Sequence, residues 1–322
     1  MNSQSDKSRS IGILCVVCAW VCFSCQDMAI KWISGDYALH QITLTRSLIG
    51  LAFTLLIFMP MEGGYSLIKT RQPVKQILRG LLIVLSNMTF FTAIVVISLG
   101  EAMATFFVAP LLITVLSVLV LKESVGWRRW TAIAIGFVGV LFILKPASSA
   151  FQVAGLLPLI AALCYALAQI TARKMGQIES ASTLAFYIQI VFVVVSILIG
   201  VSIGDGRYAG TDNPSLEFLF RHWRWPEGFD LWIFLFIGVL SGIGAYLISQ
   251  GYRLCEAGLA APFEYVALPL AVMWSIVIWG ELPDFYAWLG IAMIGGAGLY
   301  IFYRETVKKD HIAANRPIAR HK

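Results

Sequence analysis

The sequence predicts an all-α integral membrane protein of ten transmembrane helices, arranged as two inverted five-helix repeats. Three observations carry that prediction. Hydrophobic residues make up 59% of the chain and charged residues only 13%, against ~25% charged in ordinary soluble domains. Mean hydropathy is +0.80, so a polar exterior cannot be assembled and the bilayer is the matching solvent. Apolar stretches of crossing length, ~17–25 residues, recur along the whole chain, and the second half repeats motifs of the first.

The expected spans are 11–33, 39–60, 78–98, 102–121, 128–145, 153–175, 181–204, 230–253, 258–280 and 285–303. Residues 1–10 precede them. The first repeat covers 11–146 and the second 153–303, with residues 304–322 as a basic tail. The first span has no small-residue cleavage site, and its polar end (Gln26, Asp27, Lys31) is unlike one, so it reads as a retained helix. Several spans contain Gly or Pro, which membrane helices tolerate.

Lys and Arg fix the expected orientation. Lys7, Arg9, Lys69, Arg71, Lys75, Arg79, Lys122, Arg128, Arg129, Arg173, Lys174, Arg253 and the cluster after Arg304 fall on one side. Only Lys31, Lys145, Arg207, Arg221 and Arg224 fall on the other. Both termini are therefore expected in the cytoplasm, with the protein multi-pass in the inner membrane. The long loop 205–229 lies outside as an ordered or semi-ordered cap, and the tail meets anionic lipid. The net charge of +6 follows this topology. It forms no basic stripe with interleaved aromatics, so nucleic acid is not an expected partner.

The repeat is visible when PLLITVLSVLVLKESVGWRRWTAIAIGFVG is laid on PLAVMWSIVIWGELPDFYAWLGIAMIGGAG. Pro110 meets Pro269, Glu123 meets Glu281, Trp130 meets Trp288, and Gly136 and Gly139 meet Gly295 and Gly298. Five spans per half is odd, so the second copy enters the membrane from the opposite side. That is the architecture of secondary transporters with a site between the halves. With these features the chain resembles the drug/metabolite transporter superfamily, EamA type, over about residues 11–305. The stretches DMAIKWIS, QITLTRSLIG and APFEYVALPLAV sharpen the likeness toward a bacterial subgroup that includes S-adenosylmethionine and riboflavin carriers. The resemblance implies a ten-helix bundle with a central cavity, a small-molecule substrate and no cofactor.

Ionisable groups in hydrocarbon cost at least ~2.5–3.5 kcal/mol, so each needs a partner or a wet cavity. Asp27 and Lys31 sit one turn apart on the first helix. They are either a self-neutralised pair or, for Asp27, a cavity group that binds a cation or carries a proton. Arg46 either pairs with Asp27 or attracts a substrate carboxylate or phosphate. Glu264 has no basic neighbour in its span, so it is either a desolvated proton carrier or a helix-to-helix hydrogen bond. Tyr265 and Trp274 are aromatic walls or packing. Asn87, Gln169 and Tyr187 are weaker candidates of the kind that also bonds helix to helix. Glu123 and Glu281 read as span-end residues.

Cys15, Cys18, Cys22 and Cys25 form two C-x-x-C pairs. At about 100° per residue they fall on one narrow stripe, opposite Asp27 and Lys31. A rigid helix spreads them over ~15 Å and cannot wrap them around one metal, so they are small apolar residues. The alternatives to a carrier are a membrane-embedded enzyme and a structural or sensing protein. No H-E-x-x-H and no P-loop occur, and no enzyme is expected.

Overall fold

The computed structural model describes residues 3–122, 126–146, 152–175, 179–254 and 261–314. Glu123, Cys255, the first residues of the expected ninth span and the end of the basic tail lie outside the described residues. Helix α1 spans Ser3–Ile33. Helix α2 spans Leu39–Glu62, with a π-helical turn at Thr54–Phe58. There follow α3 (Pro73–Ile94), α4 (Leu99–Phe106), α5 (Ala109–Leu121), α6 (Trp127–Leu144), α7 (Leu157–Met175) and α8 (Ala181–Ile203). Then come α9 (Pro214–Phe220), α10 (Asp230–Leu254), α11 (Ala267–Trp279) and α12 (Phe285–Ala314).

Seven helical segments among the described residues are long and apolar enough to cross a bilayer. Three shorter apolar helices, Trp130–Leu144, Phe263–Trp279 and Phe285–Tyr300, stand where the fifth, ninth and tenth spans were expected. Large apolar side chains face outward: Leu56 is 72% exposed, Val201 81% and Val277 71%. In water such a surface would associate; in lipid it is the solvated face.

The fourth span departs from a single straight helix. It divides into α4 and α5 at Phe107 and Val108, just ahead of Pro110. Pro110 has no N–H to give to the carbonyl of Phe106, and its ring crowds that carbonyl. Ser98 caps the start of α4 by accepting from the Glu101 N–H at 3.1 Å. The ninth span uses the same residue type: a 3-10 turn, Ala261–Val266, leads into α11, with Pro269 just inside it.

Helix α1 packs along α10, α3 along α7, α6 along α12, and α2 against both α8 and α10. Small residues set the closest approaches. A Cβ on Gly139 would meet the Gly290 carbonyl at 2.9 Å, and one on Gly290 would meet the Gly139 carbonyl at 2.5 Å. The backbones of α6 and α12 therefore touch, as small residues permit in membrane bundles. Polar side chains tie other helices: Ser86 donates to the Ala161 carbonyl at 2.8 Å, and Thr43 and Ser196 hydroxyls lie 3.0 Å apart.

The connection between α8 and α10 is an ordered cap over one end of the bundle. Phe218 of α9 is fully buried. Ser215 donates to the Thr92 carbonyl at 2.8 Å, and Arg221 to the Ser34 carbonyl at 2.9 Å. Gln41 donates to the Arg224 carbonyl and accepts from its N–H. Tyr37, between α1 and α2, donates to Asp230 at 2.6 Å. Burial and that hydrogen bond push the Tyr37 hydroxyl up to about 12, so it stays a donor at every physiological pH.

The Gly139–Gly290 contact predicts a size limit. Gly290→Leu is expected to destabilise by about 1–3 kcal/mol through overpacking, read as a lowered Tm in detergent, whereas Gly296→Leu, beside open space, leaves Tm near wild type.

Candidate functional site

Arg46 enters the bundle from α2 about two turns below the capped end. It is 4% exposed. Its Nη2 donates to Asn87 Oδ1 of α3 at 2.9 Å. Its guanidinium lies over the rings of Phe192 (α8) at 4.7 Å and Phe91 (α3) at 5.6 Å. Asn87 is held in turn by donating to the Ile83 carbonyl at 3.2 Å. The Nε of Arg46 has no hydrogen-bond partner among the described residues. Asp27 of α1, 7% exposed, is within electrostatic reach of Arg46, yet Arg46 makes no direct ion pair among the described residues. Four helices thus bring a carboxylate, a guanidinium, an amide and two rings to one level of the bundle. A guanidinium with a free N–H and aromatic flanks suits a planar or anionic ligand group.

Of the two readings of Asp27 and Lys31, the self-neutralised pair does not form among the described residues. Lys31 turns to Glu281, in the connection between α11 and α12, at 2.8 Å to Oε2 and 3.0 Å to Oε1. The Trp279 ring lies 4.7 Å from its Nζ. The lysine reaches past its own turn because Glu281 leaves it a partner at the polar end of the helix. Glu281 is therefore half of a cross-bundle ion pair as well as a span-end residue. Lys145 and Asp284 form a second bond between the same connection and the end of α6, and the ammonium beside Asp284 holds its carboxyl below the usual carboxylate range.

Glu264, 4% exposed, sits in the 3-10 turn before α11, within electrostatic reach of Tyr165 of α7 and of Tyr265. Gln169, one turn along α7, hydrogen-bonds Tyr165. Tyr265 itself is buried and turns toward α12 rather than toward Arg46. Its ring packs on Phe107 at 5.0 Å, and its hydroxyl presses so close to Gly298 that a Cβ there would meet it at 1.9 Å. Trp274 donates to Ser24 of α1 at 3.0 Å. Tyr187 donates to the Ile68 carbonyl at 2.9 Å, away from the Arg46 level. Trp274 and Tyr187 thus make helix-joining bonds, and Tyr265 packs.

Phe91 and Phe192 escaped the sequence reading. Phe91 lies four residues after Asn87, which its helix spacing would have shown; nothing local marks Phe192. Arg79 escaped too, having been grouped with loop charges. The cysteine stripe lies as expected: Cys15, Cys22 and Cys25 are half-buried, Cys18 is exposed, and all are free. No group of metal-ligating side chains occurs among the described residues.

A multi-pass bundle with charges held at one interior level is the build of a membrane carrier. The profile of the EamA-like transporter family matches residues 10–145 and again 153–304, so the chain belongs to the EamA-like transporter family. Among similar proteins are a riboflavin transporter of Rhizobium johnstonii, 26% identical over 95% of this chain and 96% of that one. An S-adenosylmethionine uptake transporter of Rickettsia bellii is 27% identical, covering 93% and 96%. A pseudopaline exporter, CntI, of Pseudomonas aeruginosa is 26% identical, covering 85% and 89%. One solved crystal structure shares the fold with a TM-score of 0.64 at 19% identity, over 90% of this chain and 96% of that one.

The Lys31–Glu281 pair predicts energetic coupling between residues far apart in sequence. A double-mutant cycle with Lys31→Ala and Glu281→Ala is expected to give a coupling of about 0.5–3 kcal/mol in thermal unfolding, whereas Lys31→Ala with Asp27→Ala gives additive effects.

Proposed function

We propose that the chain is a secondary active carrier that moves a small organic metabolite by alternating access around the Arg46 level. In this reading ten spans form two inverted repeats, 11–146 and 153–303, and both termini face the cytoplasm from the inner membrane. Two features support the repeat. The family profile falls on the chain as two successive segments. The helix pairing also survives exchange of the halves: α1 on α10 corresponds to α7 on α3, while α2 on α8 and α6 on α12 each correspond to themselves. Rocking of one half against the other about such an axis opens a midplane site to each side in turn.

The observation that carries the reading is Arg46, buried with one N–H free and flanked by Asn87, Phe91 and Phe192. A charge kept at that depth without a direct counter-ion is costly to fold and is retained for a ligand. Asp27 and Glu264 are the acidic groups assigned to proton coupling or to a cationic substrate group; Gln169 is the amide that orients Tyr165. Lys31 is assigned to holding the capped end closed, through Glu281. Because the named relatives carry riboflavin and S-adenosylmethionine, an aromatic metabolite with polar substituents is the proposed substrate class.

The test is uptake of radiolabelled riboflavin and S-adenosylmethionine into proteoliposomes. One solute is expected to accumulate, and Arg46→Ala at equal protein level is expected to reduce the rate at least about tenfold, a loss of ~1.4 kcal/mol in transition-state stabilisation. Asp27→Asn or Glu264→Gln is expected to flatten the pH dependence of uptake. Unchanged transport in Arg46→Ala would contradict the placement of the cavity, and failure of every solute in a wider metabolite panel would contradict the carrier reading.

A further inference from the structure

We infer that Gln76 and Arg79, in the first turns of α3, form a second ligand subsite that receives an anionic group, a carboxylate or phosphate of the transported solute. The inference rests on the carrier reading and narrows its substrate class. Arg79 is 9% exposed and Gln76 1%. Among the described residues, both the amide nitrogen and the amide oxygen of Gln76 are buried without a hydrogen-bond partner, as are Nε and Nη1 of Arg79. Arg79 has no ion pair among the described residues. Buried polar groups in native proteins are almost always satisfied, and a cluster of unsatisfied ones calls for an explanation. Two such side chains, three residues apart on one face of a helix, give four unpartnered atoms in one place. An arginine left this way carries a charge without a counter-ion among the described residues.

The surroundings confine the site. On one flank Gly80 packs against Val191 of α8, where a Cβ would meet Val191 at 2.7 Å. On another, Arg79 is within electrostatic reach of the Tyr165 hydroxyl on α7. Tyr165 is bonded to Gln169 and lies within reach of Glu264, so the subsite adjoins the polar groups already placed inside the bundle. Along α3, Gln76, Ile83 and Asn87 fall on nearly one line at about 100° per residue, and Arg79 stands ~12 Å from Asn87 along the axis. Helix α3 thus borders two guanidinium-centred sites, with Arg79 about 60° around the helix from that line. One is near the capped end, where Arg46 is held by Asn87, and the other is near the opposite end, where Arg79 stands with Gln76. The guanidinium offers a planar fork that binds carboxylate or phosphate in bidentate fashion, and the Gln76 amide supplies a further N–H donor. A neutral solute leaves the guanidinium without a counter-charge.

The probe is succinate or inorganic phosphate, added to the purified protein in neutral phosphatidylcholine nanodiscs with chloride at matched ionic strength as reference. Ligand binding to the native state raises Tm by mass action. Wild type is expected to gain about 2–4 °C with at least one anion, with the better anion naming the carboxylate or phosphate class. Arg79→Met is expected to lose that gain while its own Tm without anion equals or exceeds wild type, because an uncompensated buried charge has been removed. Lys75→Gln, an exposed charge on the same helix, is expected to keep the full response. If Arg79→Met does not fold, Gln76→Leu, which retains the charge, is expected to show a weakened response. The inference is overturned if wild type responds to neither anion, if Arg79→Met or Gln76→Leu responds as wild type does, or if only phosphatidylglycerol in the nanodisc shifts Tm. These outcomes are read without transport, so they fail separately from the uptake experiment.

Discussion

A charge inside a bilayer must find its partner within the protein, and that constraint organises this bundle. Hydrocarbon supplies no hydrogen bonds. Each ionisable side chain in an apolar helix is therefore either neutralised across the bundle or kept wet by a cavity. Lys31 takes the first course, with Glu281 and the Trp279 ring. Arg46 instead meets a neutral amide and two aromatic faces in place of a carboxylate, and the second course is the one proposed for it. The contrast is between a charge paired across the bundle and one held among neutral groups, and the proposed function rests on the second.

The same constraint explains the backbone. Helices must satisfy their own N–H and C=O groups wherever lipid can reach them. The fourth span is nevertheless interrupted ahead of Pro110, and the ninth begins with a 3-10 turn ahead of Pro269. These irregular stretches face the protein interior, where Phe107 and Tyr265 are almost wholly buried. Small residues do complementary work. Gly139 and Gly290 let two backbones touch, and Gly298 makes room for the Tyr265 hydroxyl. The outward faces of these helices carry Leu, Val and Ile together with aromatics such as Trp288 and Tyr300.

Much of this was legible in the residues. Hydropathy located the apolar helices because crossing length and composition leave few alternatives, and the cysteine stripe followed from helix geometry alone. The two prolines were visible, but not the interruption that Pro110 marks in the fourth span. The Lys31–Glu281 pair was not legible, since the partners stand 250 residues apart and the nearer carboxylate, Asp27, offered a simpler account. Arg79 was misplaced for a different reason. It follows Lys69, Arg71 and Lys75 in sequence, which suggested one more exposed loop charge. Its position beside the line of Gln76, Ile83 and Asn87 carried the contrary signal. Phe192 reaches Arg46 only through the packing of α8, which no local pattern encodes.

The central claim is that the Arg46–Asn87 level is a water-accessible cavity reached from either side of the membrane. The direct measurement places a single thiol there: N87C in a chain whose six native cysteines are replaced by serine, reconstituted in proteoliposomes. A membrane-impermeant thiol reagent is applied from each side in turn, with and without transported solute. Labelling from both sides, slowed by the solute, is the predicted result. A thiol that reacts from neither side would mean that Arg46 is sealed in the bundle as packing, and the carrier would need its site elsewhere.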